Sequence, residues 1–280
     1  MGSSNWIVEI LQDALGTWSY FLRLIWSLLT VSPEEFKGGS IWELMVNIHE
    51  GLKGISYGLL VLFFVVGVAR TTLNFSELKR PEQALKLFLR FAVAKAAVTY
   101  SMDLMQAIFK IIQGVLSTVS ASTGAMLLGE DITLPDIIVQ KICSVGFFES
   151  IPLWIVSLIG ALLIAVLSCV ILITVYSRFF KLYMYTAIAP VPMSSFAGEG
   201  TAQVGRQYLK SYAGVCLQGA IIILACIIYS VFAEAPSAVD SSASATSVVW
   251  SYLLELIVNL LVLVGAVRMS DRLIHEMIGM

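Results

Sequence analysis

Four polar side chains inside otherwise apolar stretches are the residues of this sequence that could do chemistry within a membrane. Asp103 and Glu255 are carboxylates at a similar predicted depth, and Lys95 and Asn259 lie on the same two predicted helices. Carboxylates at one depth can line a hydrated lumen or repeat as a ring in an oligomer. The alternative is pairing within the helix bundle, for instance with Lys95, Gln106 or Asn259, and Lys95 could equally extend to the membrane surface. The sequence leaves lumen lining and internal pairing open.

No pattern in the sequence is typical of an active site, a cofactor site or a metal site. There is no GxSxG, HExxH or P-loop pattern, and the four cysteines form no CxxC pair. His49 and His275 lie in segments predicted to be peripheral, where we expect solvated side chains. The sequence therefore predicts a protein that is not an enzyme, binds no cofactor, and leaves any ATP-driven step to partner proteins.

The composition predicts an all-α, polytopic integral membrane protein. Of the 280 residues, 58% are hydrophobic and 13% are charged, and the mean hydropathy is +0.88. A soluble domain carries about twice that charged fraction. About five stretches are apolar over roughly the 20 residues that a helix needs to cross a bilayer. The predicted spans are 52–73, 88–112, 151–177, 213–233 and 248–267.

Residues 5–29 are predicted to form an amphipathic helix with a narrow polar stripe. At 100° per residue the stripe collects Glu9, Gln12, Asp13, Gly16, Tyr20, Arg23 and Ser27. A helix surrounded by lipid would not keep these charges, because each costs several kcal/mol at mid-membrane. We interpret the helix as lying in the membrane interface, anchored by tryptophans at 6, 18 and 26, or as docked through Glu9, Asp13 and Arg23 against partner subunits or a lumen. A sixth crossing remains an alternative.

The distribution of charge predicts the orientation. The segments 70–90 and 178–212, with the tail after 267, hold eleven of the 17 basic residues. The segments 1–53, 129–150 and 234–247 hold only four of them, together with 12 of the 19 acidic residues. Because basic loops stay in the cytoplasm, the N-terminus is predicted outside and the C-terminus inside. Residues 1–50 then form an extracytoplasmic amphipathic segment, and residues 51–280 form the transmembrane helical domain.

The stretch 178–212 is nominally a cytoplasmic loop, but it is too apolar for an ordinary one. Pro190 removes the helical hydrogen bond to the carbonyl of Thr186, and Pro192 removes the bond to Ile188, so the sequence predicts a helix break at these prolines. One alternative is a long helix over 151–188 that projects beyond the bilayer. A second is that 179–197 re-enters the membrane, which requires protein or water around its backbone. A third is a simple interfacial turn between two spans.

This region resembles the TrbL family, the polytopic inner-membrane subunits of conjugative type IV secretion systems. The resemblance is carried by the Arg-Phe-Phe-Lys junction at 178–181, the Ala-Ile-Ala-Pro-Val-Pro element at 187–192, and the span entered through Gly205 to Tyr212. It is clearest over about 150–280. Over 1–150 it depends on the predicted topology alone.

The resemblance implies a multi-pass subunit of the bacterial plasma (inner) membrane that helps to form the path for DNA and protein transfer. The implied partners are membrane lipid, further copies of the chain, the other inner-membrane subunits, the ATPases, and DNA in transit only. Gly54 and Gly58 form a GxxxG pair, which permits close helix packing in lipid. The alternative is a secondary transporter with intramembrane carboxylates and a proline-broken helix. Against it, 1–150 shows no repeat of the proline break.

Overall fold

Helices make up nearly all of the part of the chain that can be described. The computed structural model describes residues 4–72, 81–127, 133–233 and 245–279, and no strand occurs within these ranges. The prediction of an all-α protein is confirmed. The helices are α1 (Ser4–Thr30), α2 (Ser40–Thr72), α3 (Pro81–Thr99), α4 (Ser101–Leu127), α5 (Asp136–Cys143), α6 (Phe147–Ile188), α7 (Pro190–Ser194), α8 (Ala202–Ala233) and α9 (Ala245–Ile278), with 3-10 helices at Phe36–Gly39 and Ser195–Ala197.

Five helices are long and apolar enough to cross a membrane, as the hydropathy predicted. The candidate spans are Phe36–Ala69, Ser101–Val119, Ser150–Ile188, Ala202–Tyr229 and Ser247–Ile278. The second lies about ten residues later than the predicted 88–112, because that stretch is divided between α3 and α4 at Tyr100. Backbone hydrogen bonds still cross the junction, from Tyr100 N–H to Ala96 O and from Leu104 N–H to Tyr100 O, each 2.9 Å long.

The predicted boundary at residues 50 and 51 falls inside α2. The chain turns earlier, at Lys37, Gly38 and Gly39, which all have positive φ angles of 50°, 74° and 80°. The glycines adopt this left-handed conformation without a steric penalty, which ends the 3-10 helix and begins α2. Residues 41–50, which we assigned to the extracytoplasmic segment, and the span predicted at 52–73 are therefore parts of one helix. The extracytoplasmic location of 1–50 stays a prediction.

The described helices form two compact units. The first unit contains residues 1–30, 116–176 and 219–272, and the second contains 31–115, 177–218 and 273–280. Helices α4, α6, α8 and α9 each contribute one end to each unit.

The first unit buries the apolar face of α1. This face packs on α5 and shares a buried core with α6 and α9, whose members are Ile7, Leu11, Leu15, Leu134, Ile138, Ile142, Leu153, Val248, Val249 and Leu253. Trp18 is 1% exposed and its ring meets Tyr229 edge-on, 6.3 Å between centroids. The proposed interface anchor at Trp18 was therefore wrong, because the protein's own helices cover this side chain. Trp6 remains exposed.

The second unit is built around the segment that follows α6. Helix α7 and the 3-10 helix Ser195–Ala197 both pack on α2 and on α3, and α2 also packs on α3. The short elements after the proline break are thus held between two long helices.

Candidate functional site

The candidate site is the break at the end of α6, which the structure places after Ile188. Ala189 keeps helical angles, φ −51° and ψ −39°, and α7 begins at Pro190. The turn is not caused by unusual backbone angles. It follows from the two prolines, which supply no N–H to the carbonyls of Thr186 and Ile188.

Side chains then close the segment into a compact turn. Ser195 Oγ donates to Pro192 O at 2.6 Å and accepts the backbone N–H of Gly205 at 2.9 Å. Thr201 Oγ1 donates to Ser195 O at 2.8 Å. Gly198 is extended, with φ −99° and ψ 144°, and leads the chain into α8. Ser195 therefore links the segment after the break to the first turns of α8.

Close glycine packing docks this turn on α2. A Cβ atom built on Gly67 would lie 3.4 Å from the Cα of Gly198, and one built on Gly198 would lie 3.0 Å from the carbonyl oxygen of Phe63. On α3, Arg90 forms an ion pair with Glu199 at 3.7 Å. Both side chains of the ion pair are substantially exposed, so it contributes little to stability. The glycine contact is the feature that sets how closely the turn approaches α2.

His49 reaches the break from α2. Its ring is fully buried, with Nδ1 2.7 Å from the carbonyl oxygen of Thr186 and Nε2 2.9 Å from Ser101 Oγ on α4. The expectation of a peripheral, solvated His49 was wrong. The carbonyl that it contacts is the one whose helical donor Pro190 removes.

Arg178 joins α6 to α8 just before the break. It is 1% exposed, and its Nε and one terminal nitrogen donate to the carbonyls of Val215 and Cys216, both at 3.4 Å. Arg178 is one of the basic residues that we assigned to a cytoplasmic loop, but its guanidinium is buried between helices and is not part of an exposed basic loop. The next residue, Phe179, stacks on Phe36 with 4.2 Å between ring centroids.

Two tyrosines also donate to backbone carbonyls around the break. Tyr183 Oη donates to Pro33 O at 2.8 Å, and Tyr208 Oη of α8 donates to Tyr185 O. The last turns of α6 are thus tied by side chains to α2, to the segment before α2, and to α8.

The predicted polar residues are not gathered at this break. Asp103 and Lys95 are exposed in the second unit, while Glu255 and Asn259 are partly buried on α9 in the first unit. Within the described ranges no hydrogen bond or ion pair joins Asp103 to Lys95 or Gln106, or Glu255 to Asn259. These three example partners are therefore not bonded to the carboxylates in the described part of the chain. Lumen lining and pairing with other residues both stay predictions.

The polar stripe of α1 is exposed along its length. Glu9, Asp13 and Arg23 all lie on the surface of the first unit, opposite the buried apolar face.

No candidate metal site occurs within residues 4–72, 81–127, 133–233 and 245–279. In these ranges no three His, Cys, Asp or Glu side chains lie close enough together to hold a metal ion.

The family is given by comparison with known proteins. A model of the TrbL/VirB6 plasmid conjugal transfer like proteins matches residues 25–190, more than half of the 280-residue chain. The chain belongs to this family. It is a multi-pass membrane protein of conjugal transfer, and the recognition from sequence is confirmed. No curated protein and no solved structure matches the chain.

The matched range corrects where the resemblance lies. It includes the junction at 178–181 and reaches Pro190, but it begins at residue 25 and ends before Gly205. The family signal therefore covers α2 to α6, rather than mainly 150–280 as we expected. These are the helices that surround the break in the second unit, together with part of the first.

Proposed function

We propose that the chain is a channel and scaffold subunit of a conjugative type IV secretion system, embedded in the bacterial plasma membrane with its N-terminus outside. The observation that carries the proposal is the proline break at Pro190. In a chain of the conjugal transfer family with five candidate spans, this break is held between α2 and α3 rather than exposed. Such a turn fixes the end of α6 against α2 and α3, which suits a scaffold subunit.

Residues 151–188 form one uninterrupted helix, as the first of the three alternatives predicted, so a re-entrant element over 179–197 does not hold for 179–188. We propose that only the buried segment after Ile188 re-enters the membrane. Ala189, Pro190, Met193, Ser195 and Ala197 are all buried by surrounding helices. Irregular backbone at membrane depth is tolerated only where protein or water covers it. Protein covers it here.

The direction of α2 agrees with spans that alternate in direction. Phe36 stacks on Phe179, His49 contacts Thr186, and Gly67 contacts Gly198, so α2 and the segment 179–198 run in the same direction. The first and third spans share a direction in any chain whose spans alternate, with the N-terminus on either side, so the orientation itself stays a proposal. His49 and Thr186 were predicted on opposite sides of the membrane. Their 2.7 Å contact does not agree with both of these placements at once, so at least one of them was wrong.

The α1 stripe supports a water-filled path or a partner contact. The apolar face of α1 is buried inside the first unit and therefore cannot face lipid. The face left exposed is the one that carries Glu9, Asp13 and Arg23. Charged side chains facing acyl chains are costly. We propose that the stripe faces the transfer path or a neighbouring subunit, with Asp103, Lys95, Glu255 and Asn259 as further lumen-lining candidates.

A homo-oligomer is supported by an open surface on α2. Apart from the adjoining backbone of α2 itself, nothing in the described part of the chain lies within 4 Å of a Cβ built on Gly51, Gly54 or Gly58. These glycines allow a neighbouring helix to approach closely in lipid. We propose that a second copy of the chain packs there, beside the other inner-membrane subunits and the ATPases.

Deletion and complementation of the gene test the proposal. We expect deletion to abolish conjugative transfer and a tagged chain to restore it. The tagged chain should also co-purify from solubilised membranes with other subunits of the apparatus. Normal transfer in the deletion strain would overturn the proposal. Altered uptake of a small solute, with transfer unaffected, would favour the transporter alternative.

A further inference from the structure

The carbonyl of Thr186 needs a hydrogen-bond donor that the helix does not supply. In an uninterrupted helix the amide of residue 190 would donate to it, but Pro190 has no amide hydrogen. Thr186 is almost completely buried, so water does not replace the missing donor. A buried carbonyl left without a partner carries its full desolvation penalty.

His49 provides this donor from a different helix. The 2.7 Å contact joins Nδ1 to a carbonyl oxygen, which can only accept, so Nδ1 carries the hydrogen. Nε2 is then free to accept from Ser101 Oγ at 2.9 Å. Ser101 Oγ also lies 2.8 Å from Val98 O, so its single hydrogen has two acceptors within reach. The imidazole of His49, on α2, thus links α4 to the end of α6 by hydrogen bonds.

The adjacent carbonyl is bound in the same way. Tyr185 O accepts the hydroxyl of Tyr208 on α8. Two consecutive carbonyls at the end of α6 are therefore bound by side chains of two different helices. This arrangement fixes the last turn of α6 from two sides, just before the chain changes direction.

We propose that His49 is a positioning residue that replaces the hydrogen bond removed by Pro190 and so holds the end of α6 on α2 and α4. Loss of the Nδ1 donor releases the turn from α2 without unfolding the spans. The part of this inference that concerns transfer rests on the proposed function. The part that concerns the donor does not.

Two isosteric substitutions test which ring nitrogen matters. The amide nitrogen of asparagine occupies roughly the place of Nδ1, and that of glutamine roughly the place of Nε2. We expect His49→Asn to keep transfer and thermal stability near wild type, and His49→Gln to lower transfer about tenfold at normal abundance, the scale of one lost buried hydrogen bond. Ser101→Ala, which removes only the Nε2 partner, is the matched control, and we expect a smaller effect. Equal behaviour of the asparagine and glutamine variants, whether both intact or both impaired, would overturn the proposal.

A double-mutant cycle with Pro190→Ala separates this inference from the proposed function. The alanine returns an amide donor to Thr186 O, so the His49 donor becomes redundant. In purified full-length protein in nanodiscs, we expect His49→Gln to shift the unfolding equilibrium about tenfold on the wild-type background and less than about twofold on the Pro190→Ala background. Additive effects of the two substitutions would overturn the inference. Because unfolding is measured without any transfer assay, a dispensable gene would refute the proposed function and leave this result standing.

Discussion

The contact of Gly198 with α2 leads to a quantitative prediction for Gly198→Ala. The new methyl carbon would lie 2.5 Å from Thr201 Oγ1 and 3.0 Å from Phe63 O. The Thr201 side chain can rotate away only by giving up its 2.8 Å bond to Ser195 O, worth about 1 kcal/mol. The Phe63 carbonyl belongs to the backbone of α2, so the turn itself must shift, at about 1–3 kcal/mol for overpacking. Alanine also lowers the conformational entropy of the unfolded chain relative to glycine, which stabilises the folded protein by about 0.4–1 kcal/mol. The sum is a net loss of about 2 kcal/mol, roughly a 30-fold change in the unfolding equilibrium.

The loss of stability can be measured on purified protein in nanodiscs, with protease sensitivity as the readout of unfolding. The matched control is Gly265→Ala, where nothing in the described chain beyond the adjoining helix backbone lies within 4 Å of the new carbon. In mid-helix that substitution is expected to gain up to about 1 kcal/mol. We also expect Gly198→Ala to reduce conjugative transfer, since the turn no longer sits against α2. If Gly198→Ala were as stable as Gly265→Ala, the tight docking of the turn on α2 would be refuted.

Three further predictions address other parts of the molecule. Arg178→Lys should lower stability by about 1–2 kcal/mol, because a single ammonium does not reproduce the two-pronged donation to α8; an unchanged melting temperature would contradict this. Asp13→Leu and Arg23→Leu should each reduce transfer while membrane insertion stays normal, and unchanged transfer in both would favour a passive interfacial helix. A cysteine at Ser242 should be labelled from outside intact cells and one at Glu199 should not; labelling at Glu199 would reject the predicted orientation.

Features governed by neighbouring residues could be predicted from the sequence. Five apolar stretches gave the number of candidate spans, because crossing a bilayer needs a minimum length of apolar helix. The polar residues of α1 are exposed on one face, as their helical spacing predicted. The break after Ile188 is where two prolines withdraw helical donors. The second span was misplaced because 88–112 is only weakly apolar, and hydropathy does not show the junction at Tyr100.

The partners of the break could not be predicted, because they come from distant parts of the chain. His49 and Thr186 are separated by 137 positions, and Arg178 and Cys216 by 38. A buried histidine and a solvated one look alike in sequence, and a basic residue near a span end resembles a topology signal. One signal was available for His49. A proline in an apolar helix leaves a carbonyl without a donor, so a donor must be supplied from elsewhere in the fold.

The most direct test of the central claim is the transfer frequency of Pro190→Ala/Pro192→Ala. Alanine at both positions returns two amide donors and removes the ring clashes, at about 3 kcal/mol for each interior proline. The helix from Phe147 can then continue through Ser195, which takes α7 away from α2 and α3 and moves Arg206 relative to any ATPase beneath. The account predicts normal abundance in the membrane and loss of conjugative transfer. Wild-type transfer frequency at normal abundance would contradict it, and would show that the break is only a turn between two spans.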